Sequence, residues 1–266
     1  MLRLAQKRDI PALAALWQEA FGDGREYIDR FLDMNFHEGG AAVCERDGRV
    51  CAMAHLVPAA LSLGGNAAPA RYIYAVAVSR ELRGQGLGGA LMRFTVDWLR
   101  QNGLGGFLVP AGERLYEFYR RFGFVEAFGA HERTLYASGS VGCRVSSAGE
   151  DEVLALRERF FAGTPHEVWP EKQFGFIKSD IERSGGQFLK VCSQNAQGYV
   201  LCYKVDDRLV IREHTLDERT LSGALHALGA ASAQVLEPAG EFQNCRVTGM
   251  ALLRPDVPAW LGYDMQ

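Results

Sequence analysis

Four glycines lie within six residues at positions 84–89, inside the sequence RGQGLGGA that begins at Arg83. The apolar run YIYAVAV precedes them at positions 72–78, and LMRFTVDWL, which has helical spacing, follows at positions 91–99. Glycines let backbone N–H groups face one anion, and the start of a helix adds a partial positive charge. A strand, then glycines, then a helix therefore predict a phosphate-binding loop rather than an ordinary turn.

The same glycines satisfy the dinucleotide-binding pattern G-x-G-x-x-G, but their surroundings do not fit that site. In a dinucleotide fold the apolar strand turns directly into the first glycine, whereas the polar run SRELR intervenes here. The next strand should end in an acid that binds the ribose, yet residues 106–109 are followed by Pro-Ala. A P-loop is also disfavoured, because no Gly-Lys-Ser/Thr follows the glycines.

Read from Arg83, these residues fit a third pattern, Arg-x-x-Gly-x-Gly, with Arg83, Gly86 and Gly88 at its defined positions. The guanidinium of Arg83 can form a charge-assisted hydrogen bond to the anion that the amides face. The helix that begins near Gly86 contributes its N-terminal partial charge to the same anion. The pattern predicts a diphosphate-binding site.

The elements around this loop predict a mixed α/β layer of about 135 residues. In the first 136 residues we expect strands over 1–5, 41–45, 50–61, 71–78, 106–109, 124–128 and 131–136, and helices from Asp9, over 26–35, from the glycines to 101, and over 113–121. Asp47-Gly48 between two apolar runs is a hairpin signal, and Gly64-Gly65-Asn66 is a further turn.

The second part of the chain predicts the same order of elements again, after the small polar link at residues 137–140. We expect strands over 143–146, 188–192, 198–205, 208–213, 233–236 and 247–253, with a link at Asp206-Asp207, and helices over 150–161, 170–183 and 218–228. The repeat rests on element order alone, not on residue identity. We therefore predict two domains, residues 1–137 (the first half) and residues 141–266 (the second half).

Composition sets limits on partners and location. The chain has 266 residues, a net charge of −3, and apolar and charged fractions of 48% and 23%, which are ordinary values for a globular protein. No basic field predicts nucleic-acid binding, and no run of about 18 apolar residues predicts a membrane span. The six scattered cysteines and the histidines show no metal-site spacing. We expect a cytoplasmic protein without metal, nucleic-acid or membrane partners, and oligomeric state stays open.

Two motifs, VAVSRELRGQGLGGALM at positions 76–92 and LYEFYRRFGF at positions 115–124, resemble the GNAT acyltransferase superfamily at its usual separation. The resemblance implies the acyl-CoA N-acyltransferase fold, a catalytic first half, and acetyl-CoA as the cofactor. It also implies that the strand backbone binds the pantetheine arm and that the glycine loop binds the diphosphate. The cofactor-binding residues implied are Val76, Ala77, Val78, Arg83, Gly84, Gln85, Gly86, Leu87, Gly88 and Gly89.

The resemblance places the catalytic residues on the second motif and on the strand before the loop. It implies that Tyr119 is the general acid that protonates the leaving thiolate, with Tyr116, one turn earlier, in reserve. Many relatives carry a basic carboxylate on the central strand, but residues 72–76 contain none. Deprotonation of the amine could run through water held by Tyr74, His55 or Glu113, although a core histidine is the more ordinary interpretation of His55.

The second half has no glycine loop. At the corresponding place, residues 213–220, the sequence contains acids where a diphosphate would need hydrogen-bond donors. We predict a degenerate GNAT-like domain, and its role stays open; in tandem relatives such a domain packs on the first and helps to shape the acceptor pocket. Thr215 or Asp217 should cap the following helix. Glu213 and His214 are interpreted as a solvated strand end, with an acceptor-facing role as the alternative. Trp169 and Trp260 are interpreted as packing residues, with a pocket-lining role as the alternative.

The function expected is transfer of an acetyl group from acetyl-CoA to a primary amine of a small molecule or peptide, by direct attack in a ternary complex. O-acyl transfer stays open. The alternative is an acyl-CoA-binding sensor or interaction module without catalysis, which the missing strand carboxylate would allow.

Overall fold

The computed structural model describes residues 1–63, 67–206, 208–252 and 259–262. The expected turn at residues 64–66, the expected link at residue 207 and the end of the last expected strand at residue 253 lie outside the described residues. The first half contains β1 (Leu2–Leu4), α1 (Ile10–Phe21), α2 (Arg25–Asn35), β2 (Ala41–Arg46), β3 (Arg49–Ser62), β4 (Ala67–Val78), α3 (Leu87–Gln101), β5 (Gly105–Leu108), α4 (Glu113–Arg120) and β6 (Val125–Tyr136).

The second half repeats much of this order. It contains β7 (Arg144–Ser147), α5 (Glu150–Phe161), β8 (His166–Val168), α6 (Glu171–Arg183), β9 (Gly186–Cys192), β10 (Gln197–Val205), β11 (Arg208–His214), α7 (Glu218–Ala227), β12 (Ser232–Pro238) and β13 (Arg246–Ala251). The short strand β8 was not expected. The predicted mixed α/β fold class is confirmed. Within the ranges described, no helix is both long enough and apolar enough to cross a membrane.

The strands form one mixed sheet in the order β1-β2-β3-β4-β5-β13-β6-β12-β11-β10-β9-β7, with β8 added at the end of β3. Each half has one parallel pair joined by a helix, β4-α3-β5 in the first and β11-α7-β12 in the second. The two halves exchange strands, because β13 lies between β5 and β6, while β6 continues beside β12. Neither half completes its sheet alone, and the boundary at residues 137–141 stays a prediction.

The expected pair of strands over 124–128 and 131–136 is wrong, because these residues form the single strand β6. Its first part pairs with β13, from Val125 to Ala130. Its second part pairs with β12 along the other edge, from Ala130 to Tyr136. Both partners come from the last part of the chain, so the strand spans both halves instead of turning back at Gly129.

The sheet separates two faces in the first half, and β4 has side chains on both. The α1/α2 face has a core that includes Trp17, Phe31 and Tyr72, and this core continues into the second half through α5 and α6. The α3/α4 face has a second core, to which Ile73 of β4 and Tyr119 of α4 belong. The core on the α1/α2 face is therefore shared by both halves, and the core on the α3/α4 face also includes Met250 of β13.

A buried ion pair lies in the second half, where Arg157 of α5 and Glu213 of β11 are both fully buried. Nε of Arg157 lies 3.1 Å from Oε1 of Glu213. The hydroxyl of Tyr199 and the indole N–H of Trp260 also donate to the Glu213 carboxylate. The interpretation of Glu213 as a solvated strand end is therefore wrong.

This ion pair holds the chain segment 259–262 in place. A β-carbon on Gly262 would overlap Oε2 of Glu213, so only glycine allows this close approach. The guanidinium carbon of Arg157 lies 4.1 Å from the centre of the Trp169 ring, a cation–π contact. Trp169 and Trp260 are both buried, as expected for packing residues.

Replacing Arg157 by Met should lower the free energy of unfolding by about 3–5 kcal/mol, because it leaves the Glu213 carboxylate buried without its cation. Chemical denaturation of the full chain measures the loss. The double variant R157M/E213L should lose less than R157M alone, since no unpaired charge remains. The control Arg25→Ala, which breaks the exposed pair with Asp29, should cost less than about 1 kcal/mol. A loss below about 1 kcal/mol in R157M would contradict the assignment.

Candidate functional site

The strands β4 and β5 pair in parallel over a short stretch only. Their register covers three pairs only, from Ala70 with Gly105 to Tyr72 with Phe107. Beyond Tyr72, β4 runs on to Val78 and stays paired with β3 on its other edge. The edge of β4 that would face β5 over residues 73–78 has no strand partner among the described residues. Its backbone groups can therefore pair with an extended ligand.

A β-bulge in β4 begins at Ala75, which has a positive φ of 49°. On β3, Met53 pairs with Ala77 and His55 with Tyr74, so Ala75 and Val76 together oppose one residue. The bulge changes the alternation of β4. Ala75 and Ala77 contact the core of the α1/α2 face, whereas Val76 packs on the α3/α4 face.

The predicted glycine loop leads into α3. Gly84 and Gly86 have φ values of 79° and 78°, which glycine adopts without strain, and Gly86 is the N-cap of the helix. The amide of Ala90 donates to the carbonyl of Gly86 at 3.0 Å, the first bond of the helical ladder. The amides of the three residues before it, at positions 87–89, have no acceptor within the helix. No described residue accepts a hydrogen bond from these three amides, so the loop offers a group of N–H donors at a positive helix end.

This loop lies beside the open edge of β4. A β-carbon on Gly88 would lie 3.5 Å from Cγ2 of Val78 and 3.8 Å from Cζ of Phe118. The predicted diphosphate-binding residues and the predicted pantetheine-binding residues therefore meet at one end of the sheet.

Two side chains of the loop already have partners. Nε of Arg83 donates to the carbonyl of Val78 at 3.1 Å, which ties the loop to the end of β4. No described residue accepts a hydrogen bond from its two outer nitrogens. The side-chain oxygen of Gln85 accepts from Nη1 of Arg46 at 2.9 Å. Arg46, at the end of β2, adds a second cation near the loop, and no local sequence pattern marks it.

Tyr119 and Tyr116 lie on the α3/α4 face, on the same side of the sheet as Val76 and Val78. Tyr119 is buried, and burial raises its pKa to about 12. Its ring centre lies 6.0 Å from that of Phe124, and its hydroxyl has no hydrogen-bond partner in the described parts of the chain. Tyr116 is half-buried. Burial is the main cause of its raised pKa, and the negative charge of the nearby Glu126 adds to it. Both phenols are protonated at neutral pH.

Tyr74 lies on the opposite face, so the structure does not bring it together with Tyr119. Its hydroxyl lies 3.2 Å from the hydroxyl of Tyr27 in α2. Burial raises the pKa of both groups, that of Tyr27 to about 12. We call the space beside residues 73–78 of β4, beyond the pairing with β5, the gap. Tyr27 and Tyr74 lie on its α1/α2 side.

His55 is a core histidine. It is buried, and its ring centre lies 5.2 Å from that of Trp17 and 5.1 Å from that of Phe31. Burial lowers its pKa to about 3, so the ring is neutral and a weak base near neutral pH. Glu113 lies exposed in the first turn of α4. In the ranges that the structure covers, no three metal-binding side chains form a cluster.

The N-terminus of α7, which follows β11 as α3 follows β4, has its own cap. The carboxylate of Asp217 accepts a hydrogen bond from the amide of Thr220 at 2.9 Å. The predicted capping role of Asp217 is thus confirmed. A carboxylate at this helix end occupies the donors that an anion would need. The absence of a coenzyme A loop here stays a prediction that this cap supports.

Comparison with known families decides the nature of the first half. Residues 1–127 match the family model described as "Acetyltransferase (GNAT) domain". This segment is similar to GNAT acetyltransferase domains. It includes β4, the glycine loop and Tyr119, and the prediction of acetyl-CoA as its cofactor agrees with that family. No curated protein sequence shows significant similarity to this chain.

Solved structures show that the GNAT likeness of fold extends over both halves. A probable N-acyltransferase from Enterococcus faecalis V583 is 16% identical, with a TM-score of 0.76 over 94% of this chain and 72% of that chain. A GCN5-related N-acetyltransferase from Kribbella flavida is 18% identical, with a TM-score of 0.72 over 94% and 70%. Eis1 from Mycobacterium abscessus is 13% identical, with a TM-score of 0.71 over 94% and 73%. At these identities the likeness concerns the fold alone.

Replacing Gly88 by Asp should weaken acetyl-CoA binding about 10- to 100-fold relative to Gly88→Asn, measured by isothermal titration calorimetry. The two side chains have the same shape, so the difference reports the charge that would repel the diphosphate. An acid in the first turn favours the helix, so the fold should persist. Equal affinities of the Asp and Asn variants would contradict the assignment of this helix start as the anion site.

His55 should make stability depend on pH. Its pKa in the folded protein, about 3, is below its unfolded value of 6.5. Below pH 6.5 the unfolded chain therefore binds a proton that the folded chain does not, and stability falls as pH falls. Between pH 7.5 and 4.5, we expect the wild type to lose about 2–3 kcal/mol relative to His55→Phe. Urea unfolding at several pH values measures this difference in stability. A difference between the wild type and His55→Phe that does not change with pH would contradict the burial of His55.

Proposed function

We propose that this protein is an N-acetyltransferase that transfers the acetyl group of acetyl-CoA to a primary amine of a small molecule or peptide, by direct attack in a ternary complex. One observation carries the proposal: the free amides at the start of α3 lie beside the unpaired edge of β4. An anion site and an extended-ligand site in contact match the two parts of coenzyme A, its diphosphate and its pantetheine arm.

The predicted cofactor-binding residues form two groups, one for each part of coenzyme A. The backbone of residues 76–78 would bind the amide-bearing pantetheine arm as an added strand does. Residues 83–89 would bind the diphosphate through amide N–H groups and the outer nitrogens of Arg83. Arg83 also braces the loop against Val78, so the two subsites are held in register.

Tyr119 would act as the general acid. The amine nitrogen attacks the thioester carbon and loses a proton to water, and the carbon–sulfur bond breaks. The thiolate takes the phenolic proton, which the phenolate regains from solvent. Burial keeps this phenol protonated at neutral pH, and its hydroxyl has no competing partner among the described residues. Tyr116 lies on the same helix and is the reserve acid.

The acceptor would approach from the α1/α2 face, on the side of the gap where Tyr74 lies. The second half packs against this side, because buried Phe176 of α6 lies 6.4 Å from Tyr27, ring centre to ring centre. Arg30 of α2 also joins the halves, since it donates to Asp180 of α6 at 2.9 Å. This contact supports a tandem arrangement in which the second half shapes the acceptor pocket.

Tyr119→Phe should lower the rate of amine-dependent thiol release from acetyl-CoA about 100- to 10,000-fold, because the thiolate then leaves without a proton donor. The dissociation constant of acetyl-CoA, measured by calorimetry, should stay within about threefold, since the ring remains. The matched variant Tyr116→Phe should retain the rate within about fivefold.

Other outcomes would change the proposal in defined ways. Full activity in Tyr119→Phe with loss in Tyr116→Phe would move the acid to Tyr116. Tight acetyl-CoA binding by the wild type without thiol release for any amine in a broad panel would favour the acyl-CoA sensor. Release with alcohols but not with amines would replace N-transfer by O-transfer.

A further inference from the structure

An aromatic cluster, formed by Trp17, Tyr27, Phe31 and Tyr74, lies on the α1/α2 face next to the gap. The ring centre of Trp17 lies 4.7 Å from that of Phe31, 5.4 Å from that of Tyr74 and 6.2 Å from that of Tyr27. Trp17 and Phe31 are buried, whereas the two tyrosines are half-buried. The cluster therefore presents aromatic rings and two hydroxyl groups to the acceptor side.

One carboxylate, that of Asp23, lies at this cluster. Asp23 is half-buried in the loop between α1 and α2, and its Oδ2 accepts a hydrogen bond from the indole N–H of Trp17 at 2.7 Å. Its negative charge adds to the effect of burial in raising the pKa of both Tyr27 and Tyr74. The loop thus places an anion within electrostatic reach of the two hydroxyls that mark the acceptor side.

The charge of Asp23 has no cation beside it. Arg30, whose guanidinium carbon lies 5.7 Å from the Tyr27 ring centre, is bound to Asp180 and to Ser179. Across the residues that the structure describes, no Lys or Arg side chain lies within ion-pair distance of Asp23. Among the described residues, the hydrogen-bond donor to this half-buried carboxylate is a neutral indole. A carboxylate in this setting, next to aromatic rings, favours a cation from outside.

We propose that Asp23, held by the indole N–H of Trp17, binds the primary ammonium group of the acceptor together with the half-buried rings of Tyr27 and Tyr74. The inference rests on the proposed function and deepens it: acceptors are cationic amines, and neutral nucleophiles such as alcohols bind weakly. The carboxylate supplies a charge-assisted hydrogen bond, and the aromatic faces stabilise the positive charge. Asp23 determines specificity here, while the acid chemistry stays with Tyr119 on the other face.

Calorimetry on the full chain, with coenzyme A present, compares two probes of the same shape, 2-phenylethylammonium and 2-phenylethanol. The wild type should bind the ammonium at least about 10-fold more tightly than the alcohol, the ratio expected for a hydrogen bond to a charged group. Asp23→Asn should remove this preference, because the amide retains an oxygen for the Trp17 N–H but has no charge. Alcohol binding should change less than about twofold.

The control Asp33→Asn removes an equal charge from the exposed side of α2 and should leave both affinities within about twofold. The inference is overturned if the wild type does not prefer the ammonium, or if Asp23→Asn keeps the preference. Thiol release from acetyl-CoA tests the proposed function separately. A preference for the ammonium that depends on Asp23, without thiol release, supports this inference and refutes catalysis. Thiol release without that preference supports catalysis and refutes this inference.

Discussion

The rest of the site depends on the early end of pairing between β4 and β5. Backbone N–H and C=O groups need partners, and a strand that leaves its neighbour after three pairs exposes those on one edge. β4 can do so because β3 satisfies its other edge as far as Val78, and the bulge at Ala75 bends it without ending that pairing. After residues 79–82 the chain enters the glycine loop, and the amides at positions 87–89 lie at the start of α3, beside this edge. The two proposed subsites of coenzyme A therefore adjoin at the end of β4.

The exchange of strands between the halves keeps the gap open. β13 pairs with β5 on the edge away from β4, so β5 is held in the sheet without closing onto β4 beyond Tyr72. β6 pairs with β13 and then with β12, which joins the two sheets into one. The shared core on the α1/α2 face, together with the Arg30–Asp180 pair, fixes α6 against α2. The surface beside Tyr74 is therefore built by elements from both halves.

Sequence reasoning succeeded where the physical requirement is local and failed where the partner lies far along the chain. Gly84 and Gly86 have positive φ, which glycine favours. Asp217 caps α7 by accepting from the amide of Thr220, three residues later. The residue types alone therefore reveal these roles. Ala75 also has positive φ, but alanine carries no signature for it. Glu213 looks like a solvated acid because its cation, Arg157, is 56 residues earlier. β6 looked like a hairpin because its two partner strands are contributed by the end of the chain.

The division of tyrosines between the two faces fits the two proton movements of the proposed reaction, in which the amine loses a proton and the thiolate gains one. Tyr119 lies on the α3/α4 face with the glycine loop, and Tyr74 lies on the α1/α2 face with Asp23, while the sheet separates them. In the proposed reaction the amine adds to the carbonyl carbon from the side of Tyr74. After the carbon–sulfur bond breaks, the thiolate is protonated by Tyr119 on the side of the glycine loop.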